Sequence, residues 1–123
     1  MDVSRLRQRM REAGRQIARQ LATLMEHAPL LRGSVYRLRR RCGKAGCRCA
    51  RGELHESWVF LSREKGVQRM RTVPTGQTAR WRKRAEDYRR FRRARRELSR
   101  LYREVLRMAG ELERLRTGPP PST

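Results

Sequence analysis

The chain has 123 residues, room for one small domain or one module carried on helical arms but not for two independent cores. Its 33 lysines and arginines against 12 acidic residues give a formal charge of +21, far more than solubility requires, so a polyanionic partner is expected. The chain has no apolar run of membrane-spanning length and no secretory leader in its first residues, which points to a cytoplasmic protein, nucleoid- or RNA-associated, with no membrane insertion.

In chain order, Leu6, Met10, Ala13, Ile17, Leu21 and Leu24 recur at steps of three and four, the period of one helix face, so residues 1–28 are expected to hold an amphipathic helix. Arg5, Arg9, Arg15 and Arg19 lie on its other face, and Ala28-Pro29 should stop it. Between residues 33 and 74 the period changes. Val35 to Arg40, Trp58 to Ser62 and Gln68 to Val73 read as three strands of an antiparallel meander, with a hairpin loop over Arg63 to Val67. Arg37, Arg39 and Arg41 on the first strand, with Arg69 and Arg71 on the third, predict one basic sheet face.

Within this module the spacing C-x4-C-x-C-x5-H places Cys42, Cys47, Cys49 and His55 together, a complete Cys3His set for tetrahedral zinc. Gly43, Gly46 and Gly52 let the loop turn tightly, and Arg41, Lys44, Arg48 and Arg51 are expected to lower the thiol pKa values. A structural zinc ion would staple a sheet too small to hold by apolar burial alone. The alternatives are reduced cysteines packed as small apolar residues, or a Cys/His nucleophile pair or redox dithiol.

After Pro74-Thr75-Gly76, with Thr75 as its N-cap, a long helix is expected over residues 75–116. Phe91, Ala94, Leu98, Leu101, Val105, Met108, Leu112 and Leu115 alternate steps of three and four, a heptad seam. Its partner is either the N-terminal helix, as a helical hairpin, or a second copy, as a coiled-coil dimer. The Pro-rich tail, 117–123, is expected to be disordered. The fold class is therefore α+β: an N-terminal helix, a small three-stranded antiparallel sheet with a Cys3His knuckle, and a long C-terminal heptad helix.

The segment from Leu31-Arg32-Gly33-Ser34 through Arg41-Cys42-Gly43-Lys44, Cys47-Arg48-Cys49-Ala50, Gly52, His55 and Leu61-Ser62 resembles an uncharacterised family of small bacterial proteins, a domain of unknown function, over about residues 30–110. The resemblance implies a mobile-element or nucleic-acid context, often near transposases, and carries over no activity and no residue roles.

On charge alone, DNA or RNA is the expected partner, gripped through phosphates by Arg37, Arg39, Arg40, Arg41, Lys44, Arg48 and Arg51 around the knuckle. On the long helix the candidates are Arg82, Lys83, Arg84, Arg89, Arg90, Arg92, Arg93, Arg95 and Arg96. The alternative for that run is a solvated charge-rich helix, but its sparse acidic partners leave like charges that favour a bound anion. Trp58, Trp81 and Tyr36 could stack on unpaired bases, although such residues more often belong to a core. The competing functions are a scaffold that dimerises or docks on a transposase-like protein, and a membrane-surface binder. No paired carboxylates, phosphate-cradling glycine loop or Ser/His/Asp set is present, so no enzymatic activity is expected.

Overall fold

The computed structural model describes residues 1–122. Its elements run α1 (Val3–Leu24), β1 (Ser34–Arg40), a 3-10 turn (Arg48–Arg51), β2 (His55–Glu64), β3 (Val67–Thr72) and α2 (Thr78–Arg116). This is the expected α+β arrangement. The chain divides into two units, one of Met1–His27 with the segment from Arg90 onward and one of Ala28–Arg89, so α2 contributes residues to both. Among the described residues no helix is long and apolar enough to cross a membrane.

In the first unit α1 opens on Asp2, whose carboxylate accepts from the Arg5 amide at 2.8 Å and satisfies one of the donors a helix start leaves unpaired. Sequence reading had no expectation for this cap. The helix ends at Leu24, before Pro29, with the Met25 amide donating to the Leu21 carbonyl. Leu6 and Ala13 meet Met108 of α2 in a buried cluster flanked by Met10, Val105 and Leu112. In one row of the α2 seam Ala94, Leu101 and Met108 are buried and the fourth member, Leu115, is exposed, while Phe91, Leu98, Val105 and Leu112 of the other row are half-buried. Glu26 pairs with Arg90 at 2.7 Å and the N-terminal amine lies 4.0 Å from Glu111, so the start of one helix faces the end of the other. The inner row of the seam is thus closed within one chain, as the hairpin alternative requires.

In the second unit the sheet order is β1-β2-β3, antiparallel throughout. The register sets Ser34 opposite Leu61 and Arg40 opposite His55 on one side of β2, and Val59 opposite Thr72 and Glu64 opposite Val67 on the other. The strands run closer to the hairpin than the expected five-residue loop allows. Only Lys65 and Gly66 connect β2 to β3, both at positive φ (51° and 79°), the backbone twist that suits a two-residue hairpin.

Val59 and Phe60, neighbours that point to opposite faces of β2, are both buried, so the central strand is covered on each side at that point. On the Phe60 face the first turns of α2 supply the cover. Trp81 meets Phe60 edge-on at 5.6 Å and donates its indole N–H to the Gln77 side chain, and Ala85 is buried nearby in sequence. The Leu31 amide donates to the Arg84 carbonyl at 3.1 Å, tying the segment before β1 to the helix. Gly33 sits at φ 153°, where a Cβ would stand 2.5 Å from the Leu61 carbonyl oxygen and inside the Phe60 ring; this close approach is why glycine occupies the position.

The expected N-cap at Thr75 is corrected. Thr75 and Gly76 form a turn, with Gly76 at φ 80° and the Gln77 amide donating to the Pro74 carbonyl, and the helix begins at Thr78. The Pro-x-Gly sequence satisfies a reverse turn locally before helical geometry can start. At the other end the Thr117 amide and hydroxyl both donate to the Glu113 carbonyl, and residues 118–122 carry no regular structure. Thr123, the last residue of the expected disordered tail, lies outside the described residues.

Candidate metal centre and its basic surround

The connection from β1 to β2, residues 41–54, is long for a hairpin, and such length in a small module needs a reason. Cys42 follows β1 by one residue, and His55 opens β2 opposite Arg40, so the two strand ends hold the first and last ligands of the motif close together. Between them the chain makes a compact knuckle. The Cys47 amide donates to the Lys44 carbonyl, the Ala50 amide to the Cys47 carbonyl and the Glu53 amide to the Arg48 carbonyl, which turns Cys47 and Cys49 toward the strand ends.

The donor atoms of Cys42, Cys47, Cys49 and His55 all lie within 4.8 Å of one another, close enough to hold a metal ion. Cys42 Sγ and Cys49 Sγ are 3.5 Å apart, and Cys47 Sγ is 3.0 Å from His55 Nε2. A disulfide needs about 2 Å, whereas tetrahedral thiolates around zinc stand about 3.8 Å apart. The four expected ligands are therefore brought together, and as thiols rather than as a bridge.

Electrostatics at the sulfurs come from within the knuckle. The Cys42 thiol is raised above the ordinary cysteine value: the Lys44 amide pulls it down, but its contacts with Cys49 and Cys47 and the loss of water together push harder the other way. Cys49 is lowered, chiefly by the Cys42 amide, which donates to its sulfur at 3.3 Å, while burial opposes that shift. The shifts at Cys42 and Cys49 trace to hydrogen bonds within the knuckle and to burial, and not to the exposed side chains of Arg41, Lys44, Arg48 and Arg51 that the sequence suggested.

The candidate phosphate-binding cations fall into distinct settings. Arg40, Arg41, Lys44, Arg48 and Arg51 are exposed, and among the described residues none of them makes an ion pair. Arg37 and Arg39 differ: both lie against Glu56, at 3.7 and 2.7 Å. Across the sheet Arg69 and Arg71 lie against Glu64, at 3.5 and 3.1 Å. The face expected to be basic therefore carries its own carboxylates, while Arg41 falls beyond the end of β1.

On α2, Lys83 pairs with Asp87, Arg89 with Glu86 and Arg90 with Glu26. Arg84 is half-buried, Arg93 engages a partner of its own, and Arg92, Arg95 and Arg96 are exposed. Arg82 and Arg37 both stack over the Trp58 ring, at 5.0 and 5.3 Å. Trp58 is thereby engaged by guanidinium groups and Trp81 by Phe60, so both make contacts within the fold.

One pattern was readable in the sequence and missed. Glu97, Glu104 and Glu111 recur every seven residues beside the seam, each paired with the arginine three residues on, Arg100, Arg107 and Arg114.

The family described as Domain of unknown function (DUF6788) matches residues 4–83. The match reaches further toward the N-terminus, taking in most of α1, and less far along α2 than the residues 30–110 expected from sequence. No curated protein and no solved structure matches the chain.

Proposed function

The chain belongs to the domain of unknown function family DUF6788, which brings no activity with it, and from the chain's own chemistry we propose that it is a zinc-stapled, non-enzymatic module that binds nucleic acid through its phosphates. The observation that carries this reading is the group of five exposed cations, Arg40 to Arg51, that make no ion pair among the described residues, on and beside the candidate metal centre. Like charges crowded into a dozen residues repel one another, and a phosphate backbone relieves that repulsion while releasing its own counterions.

Zinc suits the ligand set because three thiolates and one imidazole fill a tetrahedron and leave no open position, the mark of a structural rather than catalytic ion. The centre would then carry one net negative charge, which the surrounding cations offset. Reduced thiols of this kind belong in a reducing compartment, and cytoplasmic nucleic acid is the polyanion at hand there. A mobile-element setting remains the implication of the family resemblance, and it enters this reading only as context.

The test uses the purified full chain. Metal content close to one zinc per chain is expected, as is binding of fluorescent duplex DNA and structured RNA at about 50 mM salt that weakens by about a thousandfold at about 200 mM, the response to six or so phosphate contacts. Absence of affinity for either polymer at the lower salt would overturn the proposal.

A second reading has one specific observation behind it. Tyr102, Leu106 and Leu115 of α2 are exposed, at 48, 70 and 46%, so the helix keeps apolar surface for a second copy or a transposase-like partner in a scaffold. Self-association in sedimentation, with no nucleic-acid affinity, would favour it.

A further inference from the structure

The first unit contains an open groove of about 730 Å³ whose lining differs from everything around the knuckle. Five arginines of α2, Arg90, Arg93, Arg96, Arg100 and Arg103, converge on it, and α1 contributes Gln20 and Thr23. We propose that this groove is a second phosphate-chain site, taking the backbone of a single nucleic-acid strand without reading its bases. The inference rests on the nucleic-acid reading above and adds where a strand lies, in what form, and through which residues.

Charge is the first argument. The lining holds one carboxylate, Glu97, and Arg100 already occupies it; Arg90 is held by Glu26. Arg96 makes no ion pair among the described residues, and Arg103 reaches only the Ser99 hydroxyl, at 3.4 Å. An excess of guanidinium groups around one concave surface concentrates positive potential on whatever enters.

Spacing is the second. The five arginines succeed one another at three or four residues, about 4.5 to 6 Å of helix rise, over a span of about 20 Å. Arg96 and Arg103, the two without an ion pair among the described residues, stand seven residues or about 10 Å apart along the helix, a separation that suits two phosphates of one chain rather than a single anion. The buried Ala94 methyl lies at the groove, where other positions of the seam carry Leu, Val, Met or Phe.

The lining also limits what can be recognised. It offers guanidinium, amide and hydroxyl groups and no aromatic ring, so bases find nothing to stack on and only backbone is held. A flexible single strand can lay its phosphates along a row of guanidinium groups on one helix face, whereas the fixed phosphate rows of a duplex rod follow such a row only in part. Inorganic polyphosphate shares the phosphate chemistry but lacks the sugars that Gln20 and Thr23 could meet.

The experiment compares the full chain with R96A/R103A and with the knuckle variant R40A/R48A, on fluorescent oligo-dT, oligo-dC and a duplex of equal length, over a range of salt. All four substituted residues are exposed, and circular dichroism checks that the helices persist. R96A/R103A should weaken oligo-dT and oligo-dC alike, by about tenfold or more, and flatten the salt dependence by about 0.7 in slope for each guanidinium removed. Duplex binding should fall less. Unchanged single-strand affinity and slope in R96A/R103A, with loss only in R40A/R48A, overturns the groove and leaves the nucleic-acid reading standing. A wild-type chain that binds no oligonucleotide overturns both.

Two further measurements do not depend on the variants. An arginine-directed dicarbonyl reagent, read by mass spectrometry, should modify Arg96 and Arg103 of the wild-type chain less when oligo-dT is present, and equal modification counts against the site. Polyphosphate that displaces oligo-dT at a lower phosphate concentration than oligo-dT itself would overturn the assignment to a nucleic-acid strand.

Discussion

Glu56 and Glu64 are each shared by two arginines of a neighbouring strand, and among the described residues the cations from Arg40 to Arg51 have no such partner. Exposed pairs of this kind contribute only about 0.2 to 1 kcal/mol each, so their main consequence is electrostatic, in deciding which guanidinium groups are free for an anion. Gly33 shows a different single-residue constraint. Its φ of 153° and its approach to the Phe60 ring leave no space for a methyl group. Gly33→Ala should therefore cost about 2 kcal/mol or more of stability, read as a lowered urea midpoint, and an unchanged midpoint would show that the contact does not exist in solution.

At the scale of elements, α2 is one continuous helix with two employments. Its first turns cover the Phe60 face of the sheet through Trp81, and its later heptads pack Leu101 and Met108 in the first unit. Leu101 is 2% exposed, so truncation leaves a cavity rather than a wet surface. Leu101→Ala is expected to lose about 3 kcal/mol, whereas Leu106→Ala, at a side chain 70% exposed, should shift stability by less than about 0.5 kcal/mol. Equal effects at the two positions would mean that the seam is not the buried row. The β1–β2 connection is the other element with a distinct demand, since residues 41–54 must be held against the entropy of a long loop while the strand ends stay paired.

At the scale of the whole molecule, the two units are held by different physics. The first rests on apolar side chains between helices, and the second has a small sheet closed at one end by the Cys3His cluster. A strong chelator should accordingly remove sheet order and the environment of Trp58 and Trp81 while much of the helical circular dichroism persists; Cys49→Ser should reproduce that state without chelator. A melting curve and tryptophan emission untouched by chelator would remove zinc from the description of the fold.

Local patterns were enough to read the two helices, the three strands and the four residues of the Cys3His cluster. Steps of three and four, alternation of two, and the spacing C-x4-C-x-C-x5-H are properties of neighbouring residues, and each specifies its element without knowledge of the rest of the chain. The start of α2 was misplaced because Pro74 and Gly76 form a turn whose hydrogen bond competes with the helix cap that Thr75 also suits. The total charge was likewise set by composition. What only the tertiary structure decided is the distribution of that charge: that Glu56 takes Arg37 and Arg39, that Glu26 reaches Arg90 across 64 positions, and that five arginines of α2 share a groove with Gln20 and Thr23. An ion pair or a groove depends on the distance between residues far apart in sequence, and no periodicity within one segment encodes that distance.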